Sequence, residues 1–90
     1  HIILGMMSNK NHLEYMNHFK DKISSLTTVD IPNQNNAING GELLKKLKDF
    51  KNINYKKTIK DAIKSIDLKN NDIIIITGSL YLAGEVLNLN

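Results

Sequence analysis

The sequence has no cysteine and no arginine, and its longest uninterrupted aliphatic run is Ile73–Ile76. Without cysteine there is no disulfide-stapled secreted scaffold, no thiolate metal site and no cysteine nucleophile, and a reducing, cytoplasmic compartment is the expected setting. The aliphatic run falls far short of the ~20 apolar residues needed to cross a bilayer. The N-terminus lacks the basic-then-apolar order of a signal peptide, so no membrane association is expected. The glycine-rich patterns G-x-x-x-x-G-K-[ST], G-x-G-x-x-G and G-x-S-x-G do not occur, and no complete catalytic set is legible. His12 and His18 do not stand at zinc-ligand spacing with each other or with a third donor, so no metal site is expected.

What is present suits one small domain. The chain has 90 residues, 41% of them hydrophobic, enough for a single core with little margin. All twelve basic residues are lysine, set against nine acidic ones for a net charge of +3, and there are thirteen isoleucines and thirteen asparagines. Such a bias raises the pI without selection for a polyanion. The stretch Lys45–Lys69 carries nine lysines against Asp49, Asp61 and Asp67. Those lysines fall between the apolar positions of two helices, where solvated faces belong, so no nucleic-acid partner is expected. His1 enters an apolar run at once, as in a chain cut from something larger or one that carries a tag scar.

Hydrophobic periodicity divides the chain into four strand–helix repeats. His1–Met7 reads as a strand buried on both faces, and Ser8–Asn11 supplies capping residues before Leu13, Met16, Phe19 and Ile23 recur at helical spacing. Leu26–Ile31 is a β-branched second strand ended by Pro32, the only proline. Asn39-Gly40-Gly41 reads as a turn ahead of a helix whose face is Leu43, Leu44, Leu47 and Phe50. Asn52–Lys57 is polar, as a short edge strand would be. Thr58 caps a third helix with the stripe Ile59, Ala62, Ile63 and Ile66. After a turn at Asn70-Asn71, Asp72–Thr77 is the strand of most buried character, and Ser79 caps a last helix to about Val86 or Leu87.

Alternation of this kind predicts an α/β domain, a three-layer Rossmann-like arrangement with four parallel strands joined by right-handed crossovers. Hydropathy places the first and fourth strands side by side and the third at an edge, giving the order 3-2-1-4. That order leaves Ile73–Ile76 on an open edge, so the sheet is expected to be incomplete there. Ligands bind such sheets beyond the carboxyl ends of the strands where the order reverses, here between Gly5–Asn11 and Thr77–Tyr81. Gly5 and Gly78 permit close backbone approach, each loop runs into a helix N-terminus, Lys10 adds a charge and Ser79 a hydroxyl. A carboxylate or phosphate held by these loops is the expectation. Each residue also has a plain structural reading: Ser79 as a cap, Lys10 as a solvated lysine, Tyr81 as packing.

The segment Asp72–Leu87, DIIIITGSLYLAGEVL, resembles the end of the bacterial folylpolyglutamate synthase/dihydrofolate synthase family, whose last domain closes with a buried strand and GSLYLAGEVL or a near variant. HIILGMMSNKN is similar to that family's strand ending in Gly with a Lys near the next helix, and TVDIP to its second strand and proline-marked exit. The resemblance implies residues 1–90 are the latter part of a Mur-ligase-type C-terminal domain. It further implies an enzyme that uses ATP and Mg2+ to phosphorylate a folate or dihydropteroate carboxylate, after which the amine of L-glutamate attacks the acyl phosphate. Lys10 and Ser79 would meet a glutamate carboxylate, with Tyr81 beside them. The P-loop domain, the carbamylated lysine region and the Asp-Gly-Ala-His-Asn-Pro signature would lie upstream, and no ligase activity is expected of this chain alone. The alternatives are a flavodoxin-like anion-binding module and an interaction module that pairs, or dimerises, through its fourth strand.

Overall fold

A computed structural model describes residues 1–78. Ser79, Tyr81 and the expected last helix lie outside the described residues. The elements run β1 (Ile2–Leu4), α1 (His12–Asn17), β2 (Leu26–Thr28), α2 (Gly40–Lys46), β3 (Ile53–Tyr55), α3 (Ile59–Ser65) and β4 (Ile75–Thr77). All strand pairs are parallel and the order is β3-β2-β1-β4, with Ile2 opposite both Leu26 and Ile75. The strands are shorter than the apolar runs that announce them, because the ladder ends where each chain turns into its loop.

Alternation along β1 sorts the core into two layers. Ile2 and Leu4 face Met16, Leu43, Leu47 and Phe50, so α1 and α2 cover one side of the sheet. Ile3 faces Ile59 and Ala62, which puts α3 on the other. Two consecutive crossovers on one face followed by one on the opposite face are what right-handed connections produce when strand order reverses after β3. The result is a doubly wound α/β sheet. No helix among the described residues is long and apolar enough to cross a membrane.

Three expectations are corrected. Asn39-Gly40-Gly41 is no free turn: Asn39 is the N-cap, its side chain accepting from the Gly41 N–H at 2.8 Å, and both glycines lie in the first turn of α2. Leu13 leaves the apolar stripe and is 47% exposed, because α1 is only a short helix that turns His12 and Met16 inward. The fourth strand is not the most buried: Ile75 is 45% exposed and Ile73, on the approach to it, 67%, whereas β1 and β2 are buried throughout. It pairs only with β1 among the described residues, so one side of its backbone has no sheet partner there.

The abundant asparagine has local uses. Asn11 and Asn39 cap helices, while Asn33, Asn52 and Asn71 take positive φ in turns, a conformation asparagine tolerates better than other side chains.

One partly buried network positions α2. Asp30 accepts from the Gly40 N–H at 2.7 Å and from the Tyr55 hydroxyl at 2.8 Å, and the Thr28 hydroxyl donates to the Gly40 carbonyl at 2.7 Å. Desolvation by burial, then the hydrogen bond to and the charge of Asp30, push the Tyr55 hydroxyl above its ordinary value of 10.0. As pH rises past that value the unfolded chain releases a proton that the folded chain keeps, so this contribution to stability is present below it and is lost in the alkaline range. Tyr55→Phe is expected to cost about 1 kcal/mol at neutral pH and to flatten part of the alkaline fall, as urea unfolding measured across pH would report.

Candidate functional site

The loops that leave β1 and β4 emerge side by side. The Gly5 N–H donates to the Thr77 carbonyl at 3.2 Å, and Gly78, at φ +114°, lies so close to the Gly5 carbonyl that a Cβ there would collide with it. The two glycines therefore touch each other and leave no gap for a ligand between them. Open space lies beside them, along the β1–α1 loop that carries Lys10.

That loop is held firmly. The Ser8 N–H and hydroxyl both donate to the Asn36 carbonyl, at 2.7 and 2.8 Å, the Ile38 N–H donates to the Met6 carbonyl at 3.0 Å, and Met7 bridges Ala37. Buried His12 is hydrogen-bonded through Nε2 to the Met7 carbonyl at 2.9 Å, so its imidazole is committed to holding the loop. Lys10 itself is exposed at the turn, where its N–H meets the Met7 carbonyl at 3.4 Å.

Lys10 stands between two clefts. One, of about 320 Å3, is lined by Met6, Lys10, Asn11, Glu14, Tyr15 and His18. The Tyr15 hydroxyl shares a 2.7 Å hydrogen bond with Thr77 Oγ1, which ties this cleft to the end of β4. Glu14 puts a carboxylate in it, oriented by the Asn11 amide at 3.0 Å. The other cleft, of about 330 Å3, is lined by Ser8, Asn11, His12 and Leu13 with Lys10 and Lys46. It has two ammonium groups and no carboxylate in its lining, so it is the one that favours an anion.

The first turn of α1 offers no anion site of its own. The Asn11 side chain already accepts the Glu14 N–H at 3.1 Å, and α1 is a six-residue helix. Of the residues named from sequence, Gly5, Lys10 and Gly78 are gathered at the β1–β4 end of the sheet; Ser79 and Tyr81 are outside the described residues. Sequence reasoning missed Lys46 and Tyr15. Lys46 is one of the two lysines on α2, and only the packing of α1 against α2 brings it to the cleft that Lys10 lines. Tyr15 gave a faint signal, a polar aromatic one turn from His18 on an otherwise apolar stripe. The chain matches no protein-family model, and neither the curated proteins nor the solved structures compared with it give a match.

Proposed function

We propose that these loops bind the carboxylate of L-glutamate in an ATP-dependent amide ligase of the folylpolyglutamate synthase/dihydrofolate synthase type, of which this chain forms part of the C-terminal domain. Support comes from the cleft that Lys10 and Lys46 both line without an opposing carboxylate, on the β1–α1 loop that leaves the strand next to the reversal of strand order. Lys10 and Lys46 would draw the carboxylate by charge, and the resemblance of GSLYL adds the Ser79 hydroxyl and Tyr81. The rigid β1–α1 loop would fix the amino acid so that its amine faces an acyl group delivered from outside this chain. The sequence has no phosphate-cradling glycine loop, so in this reading ATP and Mg2+ are held by the P-loop domain, where they supply the phosphoryl group and its charge neutralisation.

The reading is tested by titrating the isotopically labelled chain with L-glutamate and following amide signals. Shifts are expected at Gly5, Lys10 and Lys46, with Lys10→Ala or Lys46→Ala weakening binding about tenfold, the scale of one charge-assisted hydrogen bond. Millimolar glutamate that moves none of these signals, or binding indifferent to both substitutions, would sink it.

The exposure of Ile73 and Ile75 favours a second reading, an interaction module that pairs through β4. Its mark is a concentration-dependent dimer in solution that Ile75→Lys abolishes; a monomer at all concentrations rules the dimer out.

A further inference from the structure

The opposite end of the sheet holds a hydrogen-bonded series of a different kind. His1, Ser25 and Asp72 immediately precede β1, β2 and the approach to β4, and the sheet order β2-β1-β4 brings them together at its amino-terminal edge. His1 Nδ1 lies 2.5 Å from Ser25 Oγ, and His1 Nε2 lies 3.3 Å from Asp72 Oδ2. The Lys69 N–H donates to that same Oδ2 at 2.9 Å, which fixes the carboxylate. An ionised carboxylate can only accept, so in the neutral imidazole the proton sits on Nε2 and Nδ1 presents a lone pair to the serine hydroxyl. Ser25 itself is anchored, because its carbonyl accepts the Ile2 N–H at 3.0 Å at the start of the ladder. All three side chains line a cavity of about 480 Å3, within the range of small-molecule sites. Asn54 and Lys69 line it too, with Asp67 beside them, and are among the side-chain donors that a developing oxyanion could use.

We propose that Ser25 is an activated nucleophile, with His1 as its base and Asp72 orienting the imidazole, and that this cavity accepts the acyl group of a small activated ester. Serine, base and orienting carboxylate stand in the relation that nucleophilic catalysis requires, with the two ring nitrogens exchanged relative to the commoner arrangement. Ser25 Oγ bonds to the acyl carbon as the bond from that carbon to the leaving oxygen breaks. The serine proton passes through His1 Nδ1 to the departing alkoxide, which leaves as the alcohol. Water then repeats the sequence, giving its proton to Nδ1 and its oxygen to the acyl carbon, and releases the carboxylic acid with Ser25 restored. None of this depends on the anion site at the other end of the sheet.

The test is reaction of the full chain with a fluorophosphonate probe, in which Ser25 Oγ bonds to phosphorus, fluoride leaves and the proton goes through His1 to solvent. Peptide mass spectrometry compares Ser25 with its exposed neighbour Ser24 in the same chain. Ser25 is expected to label about 100-fold faster or more, the lower end of what a positioned base contributes. His1→Ala is expected to bring Ser25 down to the Ser24 rate, and Asp72→Asn to lower it at least about tenfold by releasing the tautomer. Equal labelling of Ser24 and Ser25 in the unsubstituted chain overturns the proposal, and so does selective labelling that a folded His1→Ala chain retains. The first comparison needs no variant, so it decides even where a substituted chain fails to fold.

Discussion

Gly78→Ala is expected to lower the unfolding free energy by about 3 kcal/mol or more. Two costs coincide at this position. The backbone sits at φ +114°, which side chains other than hydrogen rarely adopt. The new Cβ would also run into the Gly5 carbonyl oxygen, with Leu4 Cδ1 at 2.9 Å and Met6 Cγ at 3.0 Å. Leu4 and Met6 could shift slightly; Gly5 cannot, because its N–H is bonded to the Thr77 carbonyl one residue away on the same strand pair. The collision therefore has to part β1 from β4 at the very end where the candidate anion site lies. Urea unfolding would measure the loss, and amide signals of Gly5 and Met6 would show whether the strands separate. A midpoint unchanged by the substitution would mean that the two loops do not approach as closely as described.

Gly40→Ala is expected to cost about 2 kcal/mol net, although alanine is ordinarily better than glycine in a helix by up to ~1 kcal/mol. Packing overrides propensity here. A Cβ on Gly40 would strike the Tyr55 ring, with Tyr55 Cδ1 at 2.6 Å and the Val29 carbonyl carbon at 2.9 Å. Val29 is fully buried just after β2, and the Tyr55 ring is tethered through its hydroxyl to Asp30. To make room the ring must swing away, which releases Asp30 from one of its two donors and loosens the start of α2. Because both residues share one contact, their effects should not add. In a Tyr55→Ala background the same Gly40→Ala change should cost at least about 1 kcal/mol less; equal costs in both backgrounds would show that the ring is not what excludes the methyl group.

These two glycines illustrate what periodicity reads well and what it does not. The four strands, the three helices between them, the strand order and the polar third edge follow from alternation and hydropathy, since a parallel sheet wrapped by helices must bury its middle and solvate its rim. Thr58 as a cap, with its side chain accepting from Asp61, is a local matter and is equally legible. Gly40 is not: read as part of a turn, it is a helix residue whose missing side chain serves an aromatic ring on the neighbouring strand. Leu13 and Ile75 mislead for a related reason. Both look apolar in sequence, but which side of a short helix or an edge strand is covered depends on what packs against it.

The candidate sites divide the same way. Gly5, Lys10 and Gly78 could be named from their positions at strand ends, because the place where strand order reverses is a topological property that the repeat pattern carries. Lys46 could not, being one of twelve lysines until α1 packs on α2. His1, Ser25 and Asp72 are further apart still and share no motif; three separate strand entries align them.

By itself the sequence determined the class of fold, its parallel order and the loops at its switch point, because burial of alternating and periodic apolar residues is a local signal that survives without coordinates. The partners of those residues were decided only by the tertiary structure. A hydrogen bond such as Tyr15 to Thr77, or His1 to Ser25 and Asp72, joins groups dozens of residues apart, and nothing local in the chain records a distance of 3 Å across the sheet.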